Sequence, residues 1–70
     1  MTAEEILPLA RLAATEREWT WCEPVRVTPV LCKGVKAFQV ETNVGYRGVN
    51  IRLVLSAENG DVLEAGFLPR

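Results

Sequence analysis

Seventy residues leave room for a single domain, and with 49% hydrophobic and 24% charged residues the composition is that of a globular chain rather than a disordered one. No apolar run approaches the roughly 20 residues a bilayer-spanning helix needs, and the N-terminus offers Glu4 and Glu5 where an export signal would carry Lys or Arg, so with Met1 as the start a cytoplasmic protein is expected. A net charge of −1 is far from the strongly basic balance of a nucleic-acid binder.

The chain opens on a helix. Thr2 followed by Glu5 is a capping box, in which the hydroxyl and the carboxylate each satisfy the other residue's backbone N–H. Ile6, Leu9, Ala10 and Ala13 recur at helical spacing, and Glu16, Arg17 and Glu18 close the segment. Pro8 lies past the first turn: it either kinks a helix that starts at Thr2 or marks the true start, and Leu9 to Arg17 is helical in both cases.

Trp19-Thr20-Trp21-Cys22-Glu23-Pro24 forms the connection, with Glu23 pushed toward extended geometry by Pro24. The two Trp side chains point to opposite sides of an extended segment, so one packs under the helix. The other is either a second core residue or an exposed ring of the kind enriched in interface hot spots. A first strand is expected over Val25 to Cys32, with Pro29 on a sheet edge or at a bulge because it has no donor for a ladder.

Lys33-Gly34 makes a short turn into a second strand, Val35 to Thr42, with Phe38 and Val40 on one face and Ala37, Gln39 and Glu41 on the other. Asn43, Gly45 and Gly48 form the next loop, with Tyr46 and Arg47 at its tip. Val49, Ile51, Leu53 and Leu55 then alternate with Asn50, Arg52, Val54 and Ser56, the period of a half-buried strand. Asn59-Gly60 before the apolar run Val62 to Leu68 is a strong hairpin signal. The expected fold is α+β: one N-terminal helix packed on a four-stranded antiparallel sheet, within a single domain over residues 1–70.

This order, with Thr2-Ala3-Glu4-Glu5-Ile6 at the helix start and Ala10, Ala13 and Ala14 after it, resembles the PepSY domain family. Phe38-Gln39-Val40-Glu41 is similar to the family's strands that begin on an aromatic and alternate. Leu55 to Gly60 and Asp61-Val62-Leu63 are similar to its closing strand, Asp-x-x-Thr-Gly turn and final strand, with Ser56 and Asn59 standing where the family has Asp and Thr. The family is mostly secreted, periplasmic or membrane-linked. The resemblance implies a regulatory or inhibitory partner-binding module and carries over no catalytic residue.

The residues themselves point the same way. There is no His, and Cys22 and Cys32 alone cannot close a tetrahedral zinc site or match a C-x-x-C redox motif. Two free thiols are expected, with a disulfide as the alternative. Gly45-Tyr46-Arg47-Gly48 is too short, and in the wrong setting, for a phosphate cradle. No catalytic, cofactor-binding or metal-ligating residue is expected, and no enzyme.

Charge is unevenly spread: Arg26, Lys33, Lys36, Arg47 and Arg52 meet only Glu41 between residues 24 and 57, while the flanks hold the other acids. An acidic helix pairing with a basic sheet rim accounts for this; binding of nucleic acid or another anionic ligand is the second reading. Strand parity places Phe38, Val40, Val49 or Ile51, Leu53, Leu55, Leu63, Ala65 and Phe67 against the helix. The opposite face then carries an apolar strip of Ala37, Val54 and Val62, and one helix covers one face only. A protein or peptide partner, or a second copy in a homodimer, is therefore expected on the open face or an edge, with Trp21, Ala37, Arg52, Val54 and Val62 as contact residues.

Overall fold

Thr2 starts the helix. In the computed structural model, which describes residues 1–45 and 50–67, its hydroxyl accepts from the Glu5 N–H at 3.3 Å while the Glu5 carboxylate accepts from the Thr2 N–H at 2.9 Å. Helix α1 spans Ala3–Glu16 and runs through Pro8 rather than beginning there. The proline is tolerated because the carbonyl it deprives of a donor belongs to Glu4, one turn back, and both residues are exposed to water.

At the other end the Trp19 N–H donates to the Ala14 carbonyl at 2.9 Å and the Glu18 N–H to Thr15 at 3.0 Å, the two bonds of a Schellman cap. The left-handed residue is Glu18, at φ 60°, where a glycine is usual.

Four strands follow, β1 (Arg26–Cys32), β2 (Val35–Glu41), β3 (Ile51–Ser56) and β4 (Val62–Phe67), in sheet order β1-β2-β3-β4 and all antiparallel. This is the expected α+β fold. Lys33 and Gly34 both have positive φ, 52° and 81°, as a two-residue hairpin matching the twist of its strands requires. The Tyr46–Arg47 loop tip and Val49 lie outside the described residues, as does Leu68.

Ile6, Ala10, Ala13 and Ala14 of α1 bury against Val40, Ile51, Leu53 and Leu55. Trp19 and Trp21 both pack on this core and both stay half-buried, so neither is the fully exposed ring that extended geometry allowed. The connection that carries them is tied down by bonds from the Asn43 N–H to the Cys22 carbonyl, 2.9 Å, and from the Val44 N–H to Pro24, 3.1 Å.

Two expectations about the sheet faces are corrected. Pairing passes from Val54↔Glu64 to Leu55↔Val62, so Leu63 is the extra residue of a β-bulge. The bulge shifts parity for the start of β4: Val62 packs on the helix-side core and Leu63 is exposed, the reverse of simple alternation.

Ala37 and Val54 do lie on the face away from the helix, but they are only 2% and 1% exposed and so form no open strip. The cause is curl. Cys32 on one edge strand donates through its thiol to Glu64 on the other at 3.1 Å, although a flat four-stranded sheet would hold those edges about 14 Å apart. The outer face is concave, and side chains from both edges meet over Ala37 and Val54.

Candidate partner-docking trough

With the outer face closed on itself, the uncovered surface lies on the helix side. Helix α1 packs chiefly on β2 and β3, and the row Val25, Val27, Pro29 and Leu31 emerges from under it along edge strand β1. Val25 and Val27 reach the core, whereas Leu31 is 73% exposed.

Two clefts sit on this flank. One, of about 720 Å³, is lined by Met1, Pro29, Leu31, Lys36, Phe38 and Glu58 among others. The second, of about 380 Å³, is lined by Leu7, Pro8, Arg11, Trp21, Glu23 and Val25. Leu7 and Arg11, a turn apart, face Trp21 and Val25 in the segment leading into β1, while Leu9 on the opposite flank of α1 presses against Gly60 in the β3–β4 turn. The smaller cleft thus lies beside α1 at Val25, just before β1, and the larger at the hairpin end of β1 beside Met1. The row Val27 to Leu31 runs from one toward the other, and we term the flank they mark the trough.

Backbone geometry makes the β1 side of this trough chemically open. The Lys36 carbonyl accepts from the Ala57 N–H at 3.0 Å, and the Thr42 N–H donates to Ile51 at 3.1 Å. Even-numbered residues of β2 thus direct their backbone groups toward β3. Their β1 partners, Leu31 opposite Lys36, Pro29 opposite Phe38 and Val27 opposite Val40, direct theirs away from the sheet. Pro29 stands on an edge strand, at a position where its missing N–H costs the ladder nothing.

Trp21 belongs to this trough, with the Arg11 guanidinium carbon 6.0 Å from its ring centre. The other expected contact residues do not gather there. Ala37 and Val54 are buried on the outer face, although Ala37 also touches the end of the larger cleft, and Val62 is in the core on the β4 side.

Arg52 lies on the outer face in a chain of polar contacts crossing all four strands. Its Nε donates to Gln39 at 2.8 Å and its Nη1 is 3.6 Å from Glu64. Gln39 and Arg26 each donate to the Glu41 carboxylate at 3.1 Å.

The hydrogen bond from Cys32, and then the charge of Arg52, hold the Glu64 carboxyl below its ordinary value. The same bond, with burial and the carboxylate charge, pushes the Cys32 thiol up. A thiol held protonated in this way is a poor nucleophile. Both cysteines are free, Cys32 buried and Cys22 half-buried. Among the described residues no three Cys, Asp or Glu side chains cluster as metal ligands, and no helix is long and apolar enough to cross a membrane.

Of the five cations considered for an anionic ligand, Arg26 and Arg52 are engaged with Glu41 and Glu64, and Arg47 lies outside the described residues. Lys33 and Lys36 remain exposed at the β1–β2 hairpin. The sequence carried one signal for the trough that strand parity passed over: the helix-side row of β1 extends further than one helix can cover. The chain matches no protein-family model, and comparison with curated proteins and with solved structures finds no significant similarity.

Proposed function

We propose that this chain is a non-catalytic protein-binding module that holds a segment of a partner protein in the trough between α1 and β1. The observation that carries this reading is Leu31: a leucine 73% exposed, beside Pro29 and Phe38, on an edge strand whose odd-numbered backbone groups point away from the sheet. An apolar concavity bordered by a free strand edge is a common peptide-recognition surface. The PepSY resemblance, which implies regulatory partner binding, supports it. The engagement of Arg26 and Arg52 within the outer face favours a protein partner over nucleic acid.

The test is selection of a random peptide library on the immobilised protein, with selected peptides mapped by amide chemical-shift changes. Enriched peptides are expected to shift Leu31, Phe38 and Trp21, and Leu31→Asp is expected to abolish binding while leaving the melting temperature nearly unchanged. Binding that maps elsewhere, or that survives Leu31→Asp, overturns the proposal.

A further inference from the structure

Resting on that docking site, we infer the chemistry of its occupant: an extended, apolar segment of another protein, acidic at one end, that adds to β1 as a fifth strand. A second copy of this chain is the wrong partner for the same edge. Three observations combine.

The first is the backbone. Val27 and Leu31 each offer an N–H and a carbonyl to the open side, and Pro29 offers a carbonyl. An incoming strand can bond to all of these, and its side chains at alternate positions drop into the trough beside Pro29 and Leu31.

The second is charge. From Val25 to Val40 the chain carries Arg26, Lys33 and Lys36 and no acid. Arg26 is paired with Glu41, whereas neither Lys33 nor Lys36 makes an ion pair among the described residues. Lys33 and Lys36 make the hairpin end the more positive end of the edge, although Glu58 borders the larger cleft there and the Glu64 carboxylate, shared with Arg52, lies 3.1 Å from the Cys32 thiol on the outer face. A strand whose acidic end lies at the hairpin is complementary to it.

The third is Pro29. A foreign strand meets this missing donor once, but two β1 edges paired about a two-fold axis meet it twice. Antiparallel self-pairing would also bring Arg26 of one copy toward Lys33 of the other, like charges facing each other. The proline and the cations thus oppose self-association while leaving the edge open to a partner of opposite charge.

The probes are three end-capped peptides of alternating valine and threonine: one ending in two aspartates, one in two lysines, one uncharged. Amide hydrogen exchange and chemical-shift titration on the full chain supply the readouts. The acidic peptide is expected to bind roughly five- to tenfold more tightly than the basic one at low salt, a preference that shrinks as salt is added. Lys33→Glu with Lys36→Glu is expected to reverse the ranking.

Binding should slow exchange at the Val27 and Leu31 amides, which face outward. It should leave Thr28 and Val30, which face β2, unchanged. Equal affinity for all three peptides, with the trough still shifted, overturns the acidic partner and leaves the docking site standing. Trough shifts without protection of Val27 and Leu31 overturn strand addition and likewise spare the site. Dimerisation in sedimentation that is lost on Leu31→Asp, together with no binding of any peptide, replaces the foreign partner with a second copy. Monomeric protein that binds none of the peptides overturns the inference; a library selection that still maps to the trough would then separate that outcome from failure of the docking site itself.

Discussion

Val54→Ala separates a closed outer face from an open one. By alternation Val54 points away from the helix, yet it is 1% exposed, packed with Ala37 and Cys32 between the two sheet edges. The substitution deletes two methyl groups from this site. At about 0.8 kcal/mol per buried carbon the transfer loss is about 1.6 kcal/mol, and incomplete collapse of the surrounding side chains raises it to roughly 2–2.5 kcal/mol. A valine on an uncovered strand face would change stability by no more than about 0.5 kcal/mol.

The contrast is large beside the total stability of a chain this size, about 4–10 kcal/mol at the usual value per residue. It corresponds to a fall in melting temperature on the order of 10 °C. Urea unfolding followed by the fluorescence of Trp19 and Trp21 measures it, with an unchanged denaturant slope showing that the unfolded state is the same. A loss below about 0.5 kcal/mol with the fold intact would refute closure by curl and return the outer face to the set of docking surfaces.

Other outcomes follow from the caps, a turn and the cross-sheet bridge. Thr2→Ala removes the hydroxyl of the capping box and is expected to cost about 0.5–2 kcal/mol in a thermal melt; no shift would mean that the box does not hold the helix start. Glu18→Gly is expected to stabilise by about 1 kcal/mol, because the left-handed position in the C-terminal cap is held by a residue with a Cβ. Gly60→Ala is expected to cost about 1–3 kcal/mol, since φ is +78° and a Cβ would lie 2.4 Å from the Leu9 Cδ1; the penalty should shrink in a Leu9→Ala background. The Cys32–Glu64 bond links stability to pH at both ends. Glu64, lowered in the folded state, contributes stability that is present above its unfolded value near about 4.3 and is lost as pH falls through its folded value. Cys32, raised in the folded state, contributes stability that is complete below the unfolded thiol value of about 8.5 and is lost as pH rises through its folded value. Urea stability across pH for the natural chain and Glu64→Gln should therefore differ most between those limits; parallel curves would mean that the bond does not form in solution.

Elements whose determinants are local were legible in the sequence. The capping box, the alternation of β3, the Lys33-Gly34 turn and the edge placement of Pro29 each depend on a few adjacent residues and the chemistry of one side chain. The features that decide the site depend on summed geometry instead. The bulge at Leu63 adds one residue to β4, and nothing in Asp61 to Glu64 marks it, yet it moves Val62 from one face to the other. The curl accumulates over four strands, and only its consequence, a buried Ala37 and Val54, shows that the outer face is not free. The cap at Glu18 lacks the glycine that would have announced it.

The position of the trough follows from widths. A helix is about 10 Å across with its side chains and adjacent strands are spaced about 4.8 Å apart, so one helix covers two strands. The alanines at 10, 13 and 14 seat α1 closely over β2 and β3 and leave a strand exposed at each edge. The β4 edge is covered in part: Val62 turns inward at the bulge, Leu9 packs on Gly60, and Trp19 lies 4.9 Å from Phe67 between ring centres, although Phe67 stays 59% exposed and Leu63 40%. Beside β1 only the first half receives such cover, from Trp21 and Val25, and beyond Val27 the row continues to an exposed Leu31. That remainder is a consequence of building a sheet of four strands with one helix, and among the described residues no further side chain closes it. A strand placed there would bury Leu31 and satisfy the edge in one step. At a hundred times its dissociation constant any such ligand adds about 2.7 kcal/mol, a large fraction of what a chain of this length holds by itself. Binding at the β1 edge and stability of the fold are thus coupled, and a partner that occupies the trough should raise the unfolding midpoint by an amount set by its own affinity.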